Sequence, residues 1–256
     1  MFQIIEYIKF LFKSTNQHGV HSPFVYNLVT KCFYDSKKHD DYSKLSAYRT
    51  ALLKNKKQIK ITDFGSGSRV FKSNLRAVNT IAKTSGSTLK RTQLLFRLVN
   101  YLKPKHTLEL GTSLGIATQA MALGYYKNHV TTLEGCPNIS EITRQQLNEF
   151  NIINVTQKTG EFSSSLSELK EKHFDLVFFD GNHNKKATLQ YFHKLIDNTH
   201  NDSVFIFDDI HWSKNMVDAW EIIKKHPKVT VSIDTFFWGF VFFRKEQAKE
   251  NFTIRL

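Results

Sequence analysis

The chain has 256 residues, of which 41% are hydrophobic, enough for one sizeable core or for one domain with an extension. No run approaches the roughly 18–20 uncharged apolar residues that span a bilayer, so stable membrane insertion is not expected. The two cysteines, Cys32 and Cys136, stand far apart. They do not indicate a disulfide framework, and the cytoplasm is the expected compartment.

The formal net charge is +13, and it is distributed unevenly. Residues 1–105 hold 20 Lys and Arg against 5 Asp and Glu, whereas residues 106–256 hold 16 against 18. We therefore divide the chain into a basic N-terminal extension, residues 1–103, and a second domain, residues 104–256. The basic segment suggests an anionic partner, which RNA, an acidic small molecule or a membrane surface would all fit. A basic surface that only improves solubility is the alternative.

The N-terminal extension is predicted to be mainly helical. Its first run, Phe2 to Phe12, places Ile4, Ile5, Ile8, Leu11 and Phe12 on one helical face. This pattern predicts an amphipathic helix that packs on the core, with a membrane-surface helix as the alternative. The other expected elements are helices over residues 1–53 with breaks near 16–23 and 35–41, a basic turn over 55–60, a Gly/Ser-rich loop over 62–69, and helical structure over 70–102.

From residue 104 onward, strands and helices alternate. The run Phe174–Phe179 is strongly apolar, as expected of a central strand covered on both faces. The apolar residues between Met216 and Ile223 recur at helical spacing. The alternation predicts an α/β domain with a mostly parallel sheet and helices on both faces. The predicted strands are residues 106–110, 130–133, 155–158, 174–179, 204–207, 229–233 and 237–243, the last two forming a hairpin.

The sequence LELGTSLG, Leu108–Gly115, joins the first of these strands to a helix. Gly111 and Gly115 frame a tight turn, where glycine permits a sharp bend and the close approach of a ligand. The spacing differs from the Gly-x-Gly-x-x-Gly that holds a pyrophosphate, which disfavours a NAD-dependent oxidoreductase. It suits a nucleoside ligand without a diphosphate, and we expect Glu109 to face a cationic or amine-bearing group.

Glu134 ends the next strand, in TTLEG, 23 residues after Gly111. An acidic side chain at about this interval accepts hydrogen bonds from a ribose diol. The turn and the acid together predict a nucleoside pocket, and an ordinary α/β turn with surface acids is the alternative.

A third group of polar residues ends two central strands. Asp180 ends one predicted strand, Asp208 ends the next, and Asp209 follows directly. In a parallel sheet such ends lie side by side at the carboxyl edge, where ligands bind. Converging carboxylates repel one another unless a cation intervenes, and a hard cation such as Mg²⁺ is the natural partner. Alternatively, Asp208 and Asp209 cap the following helix or bind the substrate directly.

The motifs LELGTSLG, TTLEG, TGEF, FDLVFFDGNH and VFIFDDIHW occur in the order found in class I S-adenosylmethionine-dependent methyltransferases. From about Ser87 to Arg244 the chain most resembles the catechol- and caffeoyl-CoA-type O-methyltransferase group. The resemblance implies a Rossmann-like, doubly wound, seven-stranded sheet that is mostly parallel, with an antiparallel last strand and a helical N-terminal extension.

The resemblance also implies roles for single residues around the cofactor. In that family the first glycine loop holds the methionine part of the cofactor, and the acid after the second strand holds the ribose, which here is Glu134. The Gly-acid pair after the third strand lies beside the adenine. The matching residues are Glu109, Gly111 and Gly115 for the methionine part, and Gly160 and Glu161 for the adenine.

The same family binds a metal with the acid after the fourth strand and an Asp-Asn pair after the fifth. Asp180 and Asp208 match these positions, whereas Asp209 replaces the Asn. The family's catalytic lysine falls three residues after the first metal acid, where this chain has His183. Because a histidine titrates near neutral pH, His183 is the predicted general base, with His211 next.

The sequence therefore predicts a methyltransferase that moves a methyl group from S-adenosylmethionine to a hydroxyl of a small molecule, with assistance by Mg²⁺ left open. The alternatives are an RNA methyltransferase that uses the basic extension, and a non-catalytic module that binds the cofactor. A homodimer is compatible with the sequence. The loop Asp63–Arg69 lacks the second acid of a cofactor site and is interpreted as a cover over the active site. His18 and His21 are interpreted as marking a helix break at Ser22–Pro23, not a metal site.

Overall fold

The computed structural model describes residues 1–62, 74–84, 86–169 and 172–256. The loop Asp63–Arg69 therefore lies outside the described residues. Contacts divide the chain into a first unit, Met1–Tyr34 with Leu166–Leu256, and a second unit, Asp35–Ser165. The boundary proposed between residues 103 and 104 was drawn from charge and motifs, and it stays a prediction.

Helices and strands alternate through most of the chain. The helices are α1 (Phe2–Lys13), α2 (Pro23–Leu28), α3 (Tyr42–Lys54), α4 (Val78–Thr84), α5 (Leu89–Leu102), α6 (Ile116–Gly124), α7 (Pro137–Glu149), α8 (Phe162–Glu168), α9 (Lys185–Leu195) and α10 (Lys214–Lys225). The strands are β1 (Gln58–Lys60), β2 (Leu75–Ala77), β3 (His106–Leu110), β4 (His129–Glu134), β5 (Val155–Thr159), β6 (Leu176–Phe179), β7 (Val204–Asp208), β8 (Val231–Asp234), β9 (Trp238–Phe242) and β10 (Glu250–Thr253).

In the second unit, β3, β4 and β5 lie side by side and run parallel. The register pairs Leu110 with Leu133, and Glu134 with Thr159. The three strands therefore end together, and the loops that follow them meet at one edge of the sheet. A separate antiparallel pair, β1 and β2, replaces the turn expected over residues 55–60 and the start of the helix expected from residue 70.

In the first unit, the strands lie in the order β10-β8-β9-β7-β6. β6 and β7 run parallel, whereas β9 runs antiparallel to both β7 and β8. The predicted C-terminal hairpin is confirmed as β8 and β9. Gly239 of β9 lets the Trp220 ring of α10 pack against the sheet, because a Cβ at this position would lie 2.7 Å from the ring.

The fold is the expected mixed α/β, Rossmann-like architecture, with a mostly parallel central sheet. Among the described residues, three such strands lie in the second unit and five in the first, which is one strand more than predicted. The additional strand, β10, pairs in parallel with β8 at the edge of the sheet. Its sequence is ENFT, in which only Phe252 is buried, so it lacks the apolar pattern that marks an edge strand in a sequence.

The helix α1 packs differently from the prediction. Phe10 is its buried residue, whereas the predicted core-facing residues Ile4, Ile5, Ile8 and Phe12 are exposed. The helix has apolar side chains on two opposite faces, and the phenylalanine face is the one that contacts the protein. Among the described residues, no helix has both the length and the apolar character required to cross a membrane.

The helix break expected at Ser22–Pro23 is present. The Ser22 hydroxyl caps α2 by accepting a hydrogen bond from the Val25 N–H, and proline occupies the first turn. His18 and His21 lie in the segment before this cap.

Candidate active site

The loop Gly111–Gly115 bends sharply between β3 and α6. Gly111 has φ 104°, Ser113 has φ 46° and Gly115 has φ 74°, and positive values of this kind favour glycine. The N–H groups of Gly111 and Thr112 both donate to the Leu133 carbonyl, at 3.0 and 3.1 Å. The bend is thereby attached to β4 at the residue directly before Glu134.

Glu134 lies directly beside this bend. Its carboxylate accepts one hydrogen bond from the Ser113 N–H and one from the Cys136 N–H, both at 2.9 Å. The side chain is buried, and ionised carboxylates form stronger hydrogen bonds with such N–H groups than neutral acceptors do. The structure thus brings together the glycine bend and the acid that were predicted to border one pocket.

The loop after β5 joins the same edge. Gly160 has φ 147°, and its N–H donates to the Glu134 carbonyl at 2.9 Å. Glu161, the next residue, is exposed. All of the residues predicted to bind the cofactor therefore belong to three adjoining loops, except Glu109.

Glu109 is fully buried inside β3. One carboxylate oxygen, Oε2, accepts hydrogen bonds from the hydroxyls of Thr118 and Thr132, at 2.5 and 2.6 Å. Its other oxygen has no hydrogen-bond partner among the described residues. Burial raises the pKa of Glu109 to about 8, although the two threonine hydrogen bonds lower it and the nearby Glu134 charge adds to the rise. Glu109 is thus buried within the sheet, and the role predicted for it toward the cofactor stays a prediction.

Two residues outside the motif hold the loop in place. The Tyr48 hydroxyl of α3 donates to the Leu114 carbonyl at 2.9 Å, and the Thr143 hydroxyl of α7 donates to the Ser113 carbonyl at 2.6 Å. A Cβ on Gly115 would lie 2.6 Å from the Tyr48 hydroxyl oxygen and 2.8 Å from a Thr143 methyl. Gly115 is therefore required for packing as well as for its backbone angle.

Neither Tyr48 nor Thr143 could be predicted from the sequence as a support of the loop. Tyr48 lies 66 residues before its partner, and neither residue belongs to a recognisable motif. Tyr48 is fully buried, and this burial raises the pKa of its phenol above the usual range, with the charge of Glu109 adding to the rise. The hydroxyl is thus a stable donor to the loop.

In the first unit, an imidazole and two carboxylates converge after β6 and β7. Asp180, His183 and Asp208 each offer one ligand atom, and these atoms lie within 4.8 Å of one another. His183 Nε2 lies 3.8 Å from an Asp180 carboxylate oxygen. The parallel register of Phe179 with Phe207 explains why the two aspartates come together.

The short loop before α9 positions His183. The Asn184 side chain caps α9 by accepting a hydrogen bond from the Ala187 N–H at 3.0 Å. Asn182 has φ 60°, and its amide donates to the Tyr191 hydroxyl at 2.8 Å. Both asparagines therefore bind to the helix that follows and restrain the histidine between them.

Asp209, the third predicted metal ligand, is not a member of this cluster. Its backbone has φ 54°, and its carbonyl accepts a hydrogen bond from the Trp212 N–H at 2.9 Å in a tight turn. The cluster therefore consists of Asp180, Asp208 and His183.

His211, the second candidate base, is held by its neighbours. Its Nε2 lies 2.9 Å from an Asp234 carboxylate oxygen, and its ring stacks on Phe236 at 5.0 Å between centroids. Its Nδ1 lies 3.8 Å from a carboxylate oxygen of Glu6 in α1. These contacts connect α1 with the loops after β7 and β8.

A family model described as a methyltransferase domain matches residues 108–210. This range includes the glycine loop, Glu134 and the Asp180–His183–Asp208 cluster. Residues 108–210 form a methyltransferase domain. Over these residues the match confirms the expected resemblance to S-adenosylmethionine-dependent methyltransferases.

Solved structures of similar fold include several methyltransferases. The methyltransferase is similar to the O-methyltransferase from Bacillus cereus in complex with SAH, with 18% identity and a TM-score of 0.57 over 83% of this chain and 95% of that one. It is similar to the SAH-bound methyltransferase PaMTH1 from Podospora anserina, with 15% identity and a TM-score of 0.62 over 88% and 97%.

A third similar structure is a candidate caffeoyl-CoA O-methyltransferase from Staphylococcus aureus, with 21% identity and a TM-score of 0.52 over 60% of this chain and 82% of that one. No curated protein sequence matches the chain. These comparisons do not favour the alternatives of an RNA methyltransferase or a non-catalytic module.

Proposed function

We propose that the methyltransferase moves the methyl group of S-adenosylmethionine to a hydroxyl of a small molecule, assisted by a divalent metal. The observation that carries this proposal is the contact between Glu134 and the glycine loop through the Ser113 N–H. It supports one nucleoside site at the edge of β3 and β4. The similar O-methyltransferases, one of them in complex with SAH, support the same cofactor and a hydroxyl acceptor.

Each part of the proposed cofactor site has a physical role. Glu134 would accept hydrogen bonds from the ribose hydroxyls while its remaining acceptor sites keep the loop in place. The bend at Gly111 leaves its backbone accessible to the methionine part, and the Gly160 loop borders the adenine. Glu109 would act from beneath the loop, because a positively charged ligand above it favours the ionised carboxylate.

The Asp180–His183–Asp208 cluster suits a divalent cation. Asp180 and Asp208 would hold the ion through carboxylate oxygens, the ligands that Mg²⁺ prefers and that Mn²⁺ also accepts. His183, beside them, would not coordinate the ion and would remain available as a base. When bound, such an ion would act as a Lewis acid and lower the pKa of an acceptor hydroxyl.

The reaction itself needs a positioned nucleophile and a base. His183 would take the proton of the acceptor hydroxyl, and the oxygen would attack the methyl carbon of the sulfonium. The carbon–sulfur bond then breaks, its electron pair stays on sulfur, and the products are a methyl ether and S-adenosylhomocysteine. His183 would return its proton to water. Alignment of oxygen and methyl group supplies most of the acceleration.

The test measures formation of S-adenosylhomocysteine with catechol as the acceptor, at several concentrations of Mg²⁺ or Mn²⁺. We expect Asp180→Asn to lower the rate by at least about a hundredfold, and a chelator to lower the wild-type rate similarly. Asp175→Asn is the matched control, because Asp175 precedes the same strand at its other end and pairs with His200. Full activity of Asp180→Asn in the presence of a chelator would contradict metal assistance.

A further inference from the structure

The helix α1 carries an exposed apolar stripe that consists of Met1, Ile4, Ile5, Ile8 and Phe12. Met1 is 98% exposed, Ile4 66% and Phe12 89%. At 100° per residue these side chains fall on one face of the helix, opposite the buried Phe10. A contiguous apolar surface of this kind on a soluble domain marks an interaction site.

The opposite face of α1 is attached to the first unit. Tyr7 and Phe10 pack on Phe236 with ring centroids 4.8 and 5.6 Å apart. Glu6 lies 3.8 Å from the His211 imidazole, and the Ser14 N–H closes the helix on the Phe10 carbonyl at 2.7 Å. The helix is thus held in a fixed orientation, and the stripe points away from the contacts that hold it.

Charge indicates what the stripe binds. Lys9 and Lys13 border the stripe on the side toward Glu6, and Lys9 also pairs with Glu6 at 2.7 Å. The whole chain has a net charge of +13, so a second copy would be repelled, whereas an anionic surface would be attracted. The helix has 12 residues, so it is about 18 Å long, suited to lying in a bilayer interface.

We propose that α1 docks the methyltransferase on an anionic phospholipid bilayer. The stripe enters the boundary between headgroups and acyl chains, and the lysines meet the lipid phosphates. This docking is independent of the proposed reaction, since it uses no residue of the cofactor loops or of the Asp180 cluster.

Vesicle co-sedimentation tests the proposal with the full chain. We expect binding to vesicles of phosphatidylcholine and phosphatidylglycerol, weaker binding at high salt, and little binding to phosphatidylcholine alone. The variant Ile4→Asp/Ile8→Asp should bind at least about tenfold more weakly. Both side chains are exposed, so the change removes no core contact. Ile153→Asp is the control, because Ile153 is 91% exposed but lies in the second unit.

Two results would overturn the proposal. One is that the wild type binds anionic and neutral vesicles equally well, or that the double variant binds anionic vesicles as tightly as the wild type does. The other is that the wild type does not bind vesicles but is a dimer in light scattering, whereas the double variant is a monomer. This result would assign the stripe to contact with a second copy of the chain. Calorimetric titration with S-adenosylhomocysteine separates docking from function, because the double variant should bind it like the wild type.

Discussion

At the scale of single residues, Glu109 is a group whose protonation depends strongly on folding. It is fully buried, and the hydroxyls of Thr118 and Thr132 are its hydrogen-bond partners. An unfolded chain exposes this carboxyl to water, where it loses its proton near its ordinary pKa of 4.5, whereas the folded protein keeps the proton until about pH 8. Between these values the folded state holds a proton that the unfolded state has released.

The difference in bound protons determines how the free energy of unfolding changes with pH. Because the unfolded state binds fewer protons in this window, the free energy of unfolding falls as the pH rises from about 5 to about 8. The fall attributable to Glu109 is up to about 4 kcal/mol. Below about pH 5 both the folded and the unfolded state hold the proton, and above about pH 8 both have released it. The variant Glu109→Gln carries no titrating group there, so its stability should increase relative to the wild type as the pH rises.

Urea denaturation at a series of pH values between about 5 and 8.5 measures this effect. Glu149→Gln is the control, because Glu149 is an exposed glutamate at the end of α7, and its stability curve should run parallel to that of the wild type. Parallel curves for Glu109→Gln and the wild type would show that the buried carboxyl titrates at an ordinary pKa.

At the scale of secondary-structure elements, α3 supports the glycine loop although it lies in the range predicted to form a basic N-terminal extension. Its Tyr48 hydroxyl donates to the Leu114 carbonyl and contacts the space that a Gly115 side chain would occupy. A loop with three positive φ values is costly to hold without such external hydrogen bonds. The helix α3 therefore stabilises the glycine loop through packing.

The variant Tyr48→Phe removes one hydrogen bond and leaves the ring in place. We expect it to lower the free energy of unfolding by about 1 kcal/mol and to weaken binding of S-adenosylhomocysteine by about three- to tenfold, because the loop loses a fixed point. Tyr42→Phe is the matched control on the same helix, since the Tyr42 hydroxyl accepts a hydrogen bond from Arg97 instead. If calorimetry gave the same affinity for S-adenosylhomocysteine in Tyr48→Phe and Tyr42→Phe, the Tyr48 hydroxyl would not contribute to binding.

Sequence patterns predicted those elements whose apolar residues repeat with a clear period. The buried side chains of α10 recur as expected, and β6 lies within the apolar run Phe174–Phe179. The patterns missed β1 and β10, because β1 buries only Ile59 between two exposed residues and β10 buries only Phe252. For α1 the prediction of a helix was right, but the predicted buried face was wrong. Both faces of the helix are apolar, and a sequence does not show which face packs against the rest of the protein.

At the scale of the whole molecule, the residues predicted to form the site occupy two separate groups of loops. The glycine loop, Glu134 and Gly160 meet in the second unit, and Asp180, His183 and Asp208 meet in the first. The positions of Gly111, Glu134, Asp180 and Asp208 at strand ends predicted the core of both groups, because parallel strands end at a common edge, whereas Gly160 and His183 were implied by the family resemblance. It did not predict the burial of Glu109 or the support from Tyr48 and Thr143, which depend on contacts between distant segments.

The proposed reaction requires that Glu134 hold a nucleoside beside the Gly111 bend. Calorimetric titration with S-adenosylhomocysteine tests this requirement most directly, with Glu134→Ala compared with the wild type and with Glu149→Ala as the control. We predict that Glu134→Ala binds at least about tenfold more weakly, since it loses hydrogen bonds from the ribose to a charged acceptor, while the control binds normally. Wild-type affinity in a folded Glu134→Ala protein would contradict the account.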